Sequence, residues 1–223
     1  MKIYSVPSLV FLLLSLLLVS CSTTLNKEKF YSDKKVGIIF ETFPLSVKEV
    51  NSGNYFIYGR EGITQKMLRK INLNEAVIND SLKKIVIGEL EKNNKEFIEI
   101  DEKEFSYSNL TTFRKPKDHK TYPKKDFRIY KTYGVDEIIY VRYEIGLIYN
   151  YVNGIYIGKK NAYSAKLYIV DLSDNSFIQY EIVEKAGKSF FKRDDESENN
   201  LKILNDEMNA IFVESLRKIK EKY

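Results

Sequence analysis

The first 21 residues constrain this chain more than any other segment. One positive charge, Lys2, is followed by an apolar run from Leu9 to Val19 and then by small residues. This order is typical of an export signal, which is removed from the mature protein. A membrane-spanning helix needs about 20 apolar residues, and Pro7 interrupts any extension of the run towards the N-terminus. We therefore predict an exported protein, with a retained membrane anchor as the alternative.

The end of the apolar run, Leu18-Val19-Ser20-Cys21, resembles the lipobox of bacterial lipoproteins. In that family the Cys thiol receives a diacylglyceryl group, and a dedicated peptidase then cuts before the Cys. The resemblance implies a signal peptide over residues 1–20 and lipidation of Cys21. The segment from Ser22 to Ser32 is polar and short of bulky apolar residues, so we interpret residues 21–32 as the lipidated Cys and a tether. An ordinary secretory signal with a Cys at its end is the alternative.

Cys21 is also the only cysteine of the chain. It cannot form an internal disulfide, and an unpaired cysteine in an exported protein calls for an explanation. Lipidation supplies one, and two or more acyl chains, such as palmitate, give stable membrane anchoring. Ser22 follows Cys21, whereas an Asp there resembles the inner-membrane retention signal of enteric bacteria. We therefore expect a lipid-anchored protein of the cell membrane, with the outer membrane favoured.

The chain after the signal is long enough for one domain, which we place at residues 33–223. It is rich in Ile, Leu, Val, Phe and Tyr and can bury a core, so global disorder is not expected. Without Lys2 the chain carries 35 basic and 31 acidic residues, a net charge of +4. So mild a charge gives no reason to expect a nucleic-acid partner.

The first half of the domain shows a β-α-β pattern. Val36 to Phe40 is a short apolar run of β type, and residues 74–93 place apolar side chains at helical spacing. Phe97 to Ile100 then follows as a strand. One further strand is predicted at Asn54 to Tyr58, before a turn.

The second half alternates at period two. The segment from Glu137 to Tyr149, a hairpin turn at Asn153-Gly154, and the segments Ile155 to Val170 and Phe177 to Val183 predict an antiparallel three-stranded meander. Residues 200–220 form an amphipathic helix expected to pack on this meander. The predicted fold class is α/β with a mixed sheet: a β-α-β unit, the meander, and a C-terminal amphipathic helix. The apolar stripe of that helix comprises Leu201, Leu204, Met208, Ile211, Phe212, Ser215, Leu216 and Ile219.

The order of these elements resembles the small α/β domain of envelope lipoproteins such as the curli-secretion channel lipoprotein. The N-terminal domain of the Tol system's β-propeller protein is similar. The resemblance lies in the strand Val36–Phe40, the helix and strand of Leu82–Ile100, the motif Gly134-Val135-Asp136-Glu137-Ile138-Ile139, and the turn Ile169-Val170-Asp171-Leu172. The usual Gly after that turn is replaced by Asp174-Asn175. No segment is typical of membrane-spanning hairpins, so the resemblance implies a fold and a location rather than a pore or a reaction.

The most concentrated charge lies in the loop that precedes a short helix predicted from Lys124 to Tyr133. This loop could contact anionic lipid headgroups, lipopolysaccharide phosphates or an acidic partner, with a solvated loop as the alternative. The candidate residues for an anionic contact are Arg114, Lys115, Lys117, Lys120, Lys124 and Lys125.

Other candidate sites have simple structural explanations. His119, the single histidine, lies among cations, and we expect it in a surface loop. No His or Cys cluster suits zinc and no phosphate-binding glycine loop is present, so we predict no metal, cofactor or catalytic residue. Acidic residues precede the last helix, where their negative charge would stabilise the helix N-terminus; calcium binding is the alternative. These acidic residues are Asp194, Asp195, Glu196 and Glu198.

Tyrosines concentrate around the first hairpin of the meander. Tyrosine is enriched at interfaces but is also an ordinary sheet residue, so a contact role and simple packing both remain open. The tyrosines concerned are Tyr140, Tyr143, Tyr149, Tyr151 and Tyr156.

These observations predict a non-enzymatic, lipid-anchored envelope protein that binds other envelope components or takes part in their assembly. Its partners would be the membrane, through the lipid on Cys21, and other envelope proteins. The alternatives are a surface-exposed ligand- or host-binding lipoprotein and a cell-wall hydrolase. A deep pocket lined by converging polar groups would favour the enzyme.

Overall fold

The computed structural model describes most of the domain that follows the tether. The described residues are 30, 33–51, 75–101, 107–152, 155–186 and 198–222, with backbone alone for 44–51, 75, 149–152, 155–159 and 198–200. The predicted signal peptide, Cys21, the strand at Asn54 to Tyr58, the turn at Asn153-Gly154 and the residues Asp194 to Glu196 lie outside them. None of the described helices is long and apolar enough to cross a bilayer.

In the described part of the chain, the fold is a five-stranded mixed sheet with two helices on one face, as the sequence predicts. The strands lie in the order β2-β1-β3-β4-β5. Strands β1 and β2, and β1 and β3, pair in parallel, whereas β3, β4 and β5 form the antiparallel meander. In chain order the elements are β1 (Val36–Asn51), α1 (Glu75–Lys92), β2 (Phe97–Glu99), β3 (Glu137–Val152), β4 (Ile155–Asp171), β5 (Ser176–Ala186) and α2 (Glu198–Lys220).

Strand β1 extends well beyond the predicted Val36–Phe40. It remains paired with β3 as far as Asn51, and the register shifts between Pro44 and Ser46. Proline has no N–H to donate to a sheet ladder, so an irregularity at this point is the usual way to keep such a strand in the sheet. The apolar run marks only the buried start of the strand, because the backbone pairing continues where the sequence is no longer uniformly apolar.

The main core lies between the sheet and the two helices. From α1 it receives Ile78, Leu82, Val86 and Leu90, and these four side chains are at most 1% exposed. The stripe of α2 packs on the same face, as predicted. Its buried members are Leu204, Met208, Ile211, Phe212, Ser215 and Ile219, while Leu201 and Leu216 are partly buried.

Ser215 is the one polar member of that stripe, and the structure explains it. Its hydroxyl lies 2.6 Å from the hydroxyl of Tyr143 and also donates to the carbonyl of Phe212. Both Ser215 and Tyr143 are fully buried. The hydrogen bond between the two hydroxyls therefore gives each of them a partner, without which burying it would be costly. Tyr143 belongs to this core, and the contact role considered for it from sequence is wrong.

The opposite face of the sheet is covered by the loop between β2 and β3. Two 3-10 helices, Tyr107–Asn109 and Arg128–Tyr133, lie within this loop, and the second ends at Gly134 in a left-handed conformation. The sequence predicts this short helix over Lys124–Tyr133 with the same glycine stop, so the observed helix is shorter and of the tighter type. Phe127 and Tyr130 of this loop belong to a second core cluster together with Tyr140 of β3, and all three side chains are at most 2% exposed.

Candidate functional site

The loop-covered face of the sheet has a cavity of about 570 Å³. It lies between residues 114–125, which we call the basic loop, and the neighbouring strands β4 and β5. Its lining is formed by Tyr107, Lys115, Thr121, Tyr122, Pro123, Lys124, Lys166, Tyr168, Phe177 and Tyr180. We call it the aromatic cavity.

The floor of the aromatic cavity is a cluster of rings on adjacent strands. Tyr168 and Tyr180 are direct cross-strand partners in the register of β4 and β5, and their ring centroids are 5.2 Å apart. Phe177 lies 5.3 Å from Tyr168 and 5.1 Å from Tyr180. All three rings are only partly buried. They therefore keep apolar surface available to a ligand that has a flat face.

The buried row behind this floor is also aromatic. Tyr140 is the cross-strand partner of Tyr168, at 5.7 Å between centroids, and Tyr107 stacks on Tyr140 at 5.4 Å. The hydroxyl of Tyr140 donates to the Glu41 carboxylate, which also accepts from Arg142 at 3.2 Å. Tyr140 is only 2% exposed, so the surface contact role considered for it from sequence is wrong. Tyr140 supports the cavity from beneath.

Three lysines supply the charge of the aromatic cavity. Lys115 and Lys124 come from the basic loop, and Lys166 projects from β4, where Arg142 is its cross-strand partner. None of the three lysines forms an ion pair with another residue in the described part of the chain. No carboxylate is among the lining residues that the structure describes. The described lining therefore carries positive charge beside its rings.

The tyrosine hydroxyls of the lining remain protonated at neutral pH. Burial raises the pKa of Tyr168, Tyr107 and Tyr180 above the ordinary value. The hydroxyl of Tyr122 donates to Asp118 at 2.6 Å, and this hydrogen bond raises the pKa of Tyr122 to about 12. The same bond lowers the pKa of Asp118. The hydroxyls can therefore act as neutral donors, and the lysines alone set the charge of the lining.

The structure divides the six predicted anion-contact residues into three groups. Lys115 and Lys124 line the aromatic cavity, while Arg114 and Lys117 are exposed on the loop. The other two have internal partners. Lys120 pairs with Asp174 at 2.5 Å, and Lys125 donates to the carbonyl of Leu110 at 2.6 Å.

Sequence reasoning missed Lys166 and the rings of β4 and β5. The signal was present in the period-two pattern, because the face of β4 that carries Leu167 and Ile169 is the core face. The alternate positions, Lys166 and Tyr168, therefore had to face the other way. The pattern could not show that a loop some 50 residues earlier would cover part of that face and enclose a cavity.

The other candidate sites in the described part of the chain do not combine exposed rings with unpaired lysines. His119 is exposed on the loop, as predicted. A smaller cavity of about 380 Å³ on the sheet has carboxylates and a lysine together, and Ser164 donates there to Glu184 at 2.7 Å. Within the described ranges, no three His, Cys, Asp or Glu side chains are grouped so that they could hold a metal ion.

Comparison with known proteins does not identify a family. No family model matches the sequence, and no curated protein matches it. A Helicobacter pylori protein described as a homolog of the neuraminyllactose-binding hemagglutinin shares 10% identity, with 90% of this chain and 87% of that chain covered and a TM-score of 0.33. A hypothetical protein from Chlamydia trachomatis shares 9% identity, with 83% and 97% covered and a TM-score of 0.24. At TM-scores of this size neither similarity indicates a shared function.

Proposed function

We propose that this protein is a lipid-anchored, non-enzymatic binding protein of a bacterial envelope, and that the aromatic cavity is its ligand site. The anchor is the lipid on Cys21, on the strength of the lipobox resemblance. The observation that carries the binding role is that one cavity brings together a cluster of partly exposed rings and three lysines that form no ion pair within the described part of the chain.

The size and chemistry of the aromatic cavity suit a small ligand. A volume of about 570 Å³ lies within the usual range for such sites, roughly 300–1,000 Å³. Lysine ammonium groups bind carboxylate or phosphate as point charges, and the ring faces accept the flat or apolar body that carries the anion. The ligand class is therefore a compact ring compound that bears a carboxylate or a phosphate.

The lining favours binding over catalysis. General acid–base catalysis requires a positioned group that titrates near the working pH, most often His, Asp or Glu. None of the described residues that line the aromatic cavity is a His, Asp or Glu. The tyrosine hydroxyls there titrate well above neutrality because their pKa values are raised. A hydrolase would have to find its acid and base elsewhere.

A ligand titration tests the binding role. The purified full chain in a nonionic detergent is titrated with matched pairs of ring compounds: glucuronate and glucose, glucose 6-phosphate and glucose, benzoate and benzamide. Binding is followed by tyrosine fluorescence, which is unobscured because the chain contains no tryptophan. We expect the anionic member of at least one pair to bind about 10-fold more tightly than its neutral partner, since a charge-assisted contact contributes about 1.5–3 kcal/mol.

Two variants test whether the anionic compound binds in the aromatic cavity. Lys166→Gln removes one cavity charge with little change in side-chain volume, and we expect it to weaken binding of the anionic compound. Lys84→Gln, an exposed lysine on α1, is the matched control and should bind like the unmodified chain. The proposal is overturned if no anionic compound is preferred over its neutral partner, or if Lys166→Gln and Lys84→Gln bind alike.

A further inference from the structure

The residues that follow the tether and the residues of the basic loop lie at the same end of the sheet. Lys34 binds the carboxylate of Asp171 at 3.0 Å, at the start of the turn that joins β4 and β5. Lys120 of the basic loop binds Asp174, in the same turn, at 2.5 Å. The residues that follow the tether and the residues of the basic loop are therefore both fixed to one short turn.

The chain is held at this end before it reaches the first strand. Phe30, within the predicted tether, is fully buried, and the side chain of Lys95 donates to its carbonyl while the ammonium lies 5.0 Å from its ring. Lys95 and Lys34 both lie against the buried carboxylate of Glu137. Phe30 lies nine positions after Cys21, so covalent geometry limits the distance between them to about 30 Å.

The exposed side chains of this end carry an excess of positive charge. Residues 114–121 are all exposed. Arg114, Lys115, Lys117 and Lys124 have no acidic partner among the described residues. Asp171 and Asp174 are paired with Lys34 and Lys120. Asp136 accepts from the backbone N–H of Lys35, and Asp118 accepts from Tyr122 and the N–H of Lys120. Because these donors are neutral, Asp136 and Asp118 keep their negative charge, and the four cations outnumber them.

From this arrangement we infer that the basic loop lies against an anionic lipid surface, with Arg114, Lys115, Lys117 and Lys124 facing phosphate-bearing headgroups. The inference rests on the proposed anchor at Cys21, because the short tether holds this end of the domain near the membrane. Each basic side chain close to an anionic bilayer strengthens attachment about five-fold, and the effect is confined to a Debye length, about 8 Å at physiological salt. The aromatic cavity, which shares Lys115 and Lys124 with this surface, then opens next to the headgroups.

Lysine footprinting on vesicles tests the orientation. The chain from Cys21 to Tyr223 is coupled through the Cys21 thiol to a maleimide lipid, which reproduces the tether whether or not the cell lipidates it. All described core residues lie between Phe30 and Ile219, so this chain keeps the whole described core. Lysines are acetylated with an N-hydroxysuccinimide ester, and mass spectrometry gives the rate at each position.

In vesicles of phosphatidylglycerol and phosphatidylcholine we expect acetylation of Lys115, Lys117 and Lys124 to slow about three-fold or more relative to phosphatidylcholine alone. Lys84 and Lys202, exposed on the two helices of the opposite face, are the internal controls and should not slow. High salt should remove the difference, since exposed charges are screened. The double variant Arg114→Gln with Lys117→Gln should lose the protection of Lys115 and Lys124, whereas Lys84→Gln with Lys202→Gln should keep it.

The inference is overturned if all lysines slow alike, if the pattern is the same in zwitterionic vesicles, or if inorganic phosphate without vesicles gives the same protection, which would indicate an ion site only. These outcomes are independent of the ligand titration, because Arg114 and Lys117 do not line the aromatic cavity. They are also independent of lipidation in the cell, because the coupling to lipid is chemical.

Discussion

Asn175 shows how a single residue positions the basic loop. It is fully buried in the turn between β4 and β5, with a left-handed φ of 65°. Its side-chain oxygen accepts from the N–H of Phe127 at 2.8 Å, and its amide donates to the carbonyl of Lys125 at 3.0 Å. The resemblance noted in the sequence implies a Gly in this turn, where this chain has Asp174-Asn175. Asparagine tolerates the same backbone conformation and adds two hydrogen bonds to the loop.

We therefore expect Asn175→Gly to destabilise the domain by about 1–3 kcal/mol, because it keeps the backbone conformation but leaves the buried N–H of Phe127 unpaired. Asn175→Ala should cost roughly 1 kcal/mol more, since alanine is strained at positive φ. Asn94→Gly is the matched control, because Asn94 has a φ of 53° and is exposed at the end of α1. Urea denaturation measures the free energy of unfolding of all three variants. Equal stabilities for Asn175→Gly and Asn94→Gly would contradict this role of Asn175.

At the scale of elements, the helix α2 packs through the same apolar stripe that the sequence predicts. The predicted stripe of this helix covers the helix face of the meander, and Phe212 meets Tyr143 edge-on at 6.2 Å. Val213, the next residue, is 65% exposed. In the described part of α2 the stripe is therefore buried on the sheet and is not a free surface for a partner helix.

Phe212→Ala should lower the free energy of unfolding by about 3–5 kcal/mol, because it removes a buried ring from the main core. The total free energy of unfolding of a domain is only about 5–15 kcal/mol, so a loss of this size should be evident in a thermal melt. Val213→Ala on the same helix should change stability by no more than about 0.5 kcal/mol. If both variants melt at the same temperature, the packing of α2 on the sheet is not what stabilises the domain.

At the scale of the whole molecule, the two faces of the sheet are covered differently. The helices cover one face, and the loop between β2 and β3 covers the other face near the turn that joins β4 and β5. Further along, that second face keeps partly exposed apolar side chains, including Phe43 at 36% and Ile182 at 43%. The tether entry, the basic loop and the aromatic cavity therefore share one end of the molecule.

The proposed anchor makes a prediction at this scale. In cells grown with labelled palmitate, we expect the unmodified protein to carry label and to fractionate with the outer membrane. Cys21→Ala should carry no label and keep its signal peptide, because the thiol that receives the lipid is gone. Ser22→Ala, which alters the neighbouring position, should remain labelled. Label on the Cys21→Ala protein would show that the lipid is attached elsewhere.

The sequence by itself determines the order and type of the elements. The periods of 2 and 3.6 residues are local properties of a chain, and each shows which side chains of an element share a buried face. The β-α-β unit, the meander and the terminal helix could therefore be predicted. The buried end of β1 could be predicted too, but its continuation to Asn51 could not, because that part is held by backbone pairing with β3.

Only the tertiary structure decides which side chains from distant segments meet. The sequence showed six cations in one loop, yet it could not separate Lys120 and Lys125, which have internal partners, from Lys115 and Lys124, which line the aromatic cavity. Nor could it bring Lys166 and Tyr168 of β4 to that loop. Such contacts depend on Asn175 and Asp174 fixing the loop to a turn some 50 residues away. The physical reason is that patterning reports burial along one element, whereas a site depends on the geometry between elements.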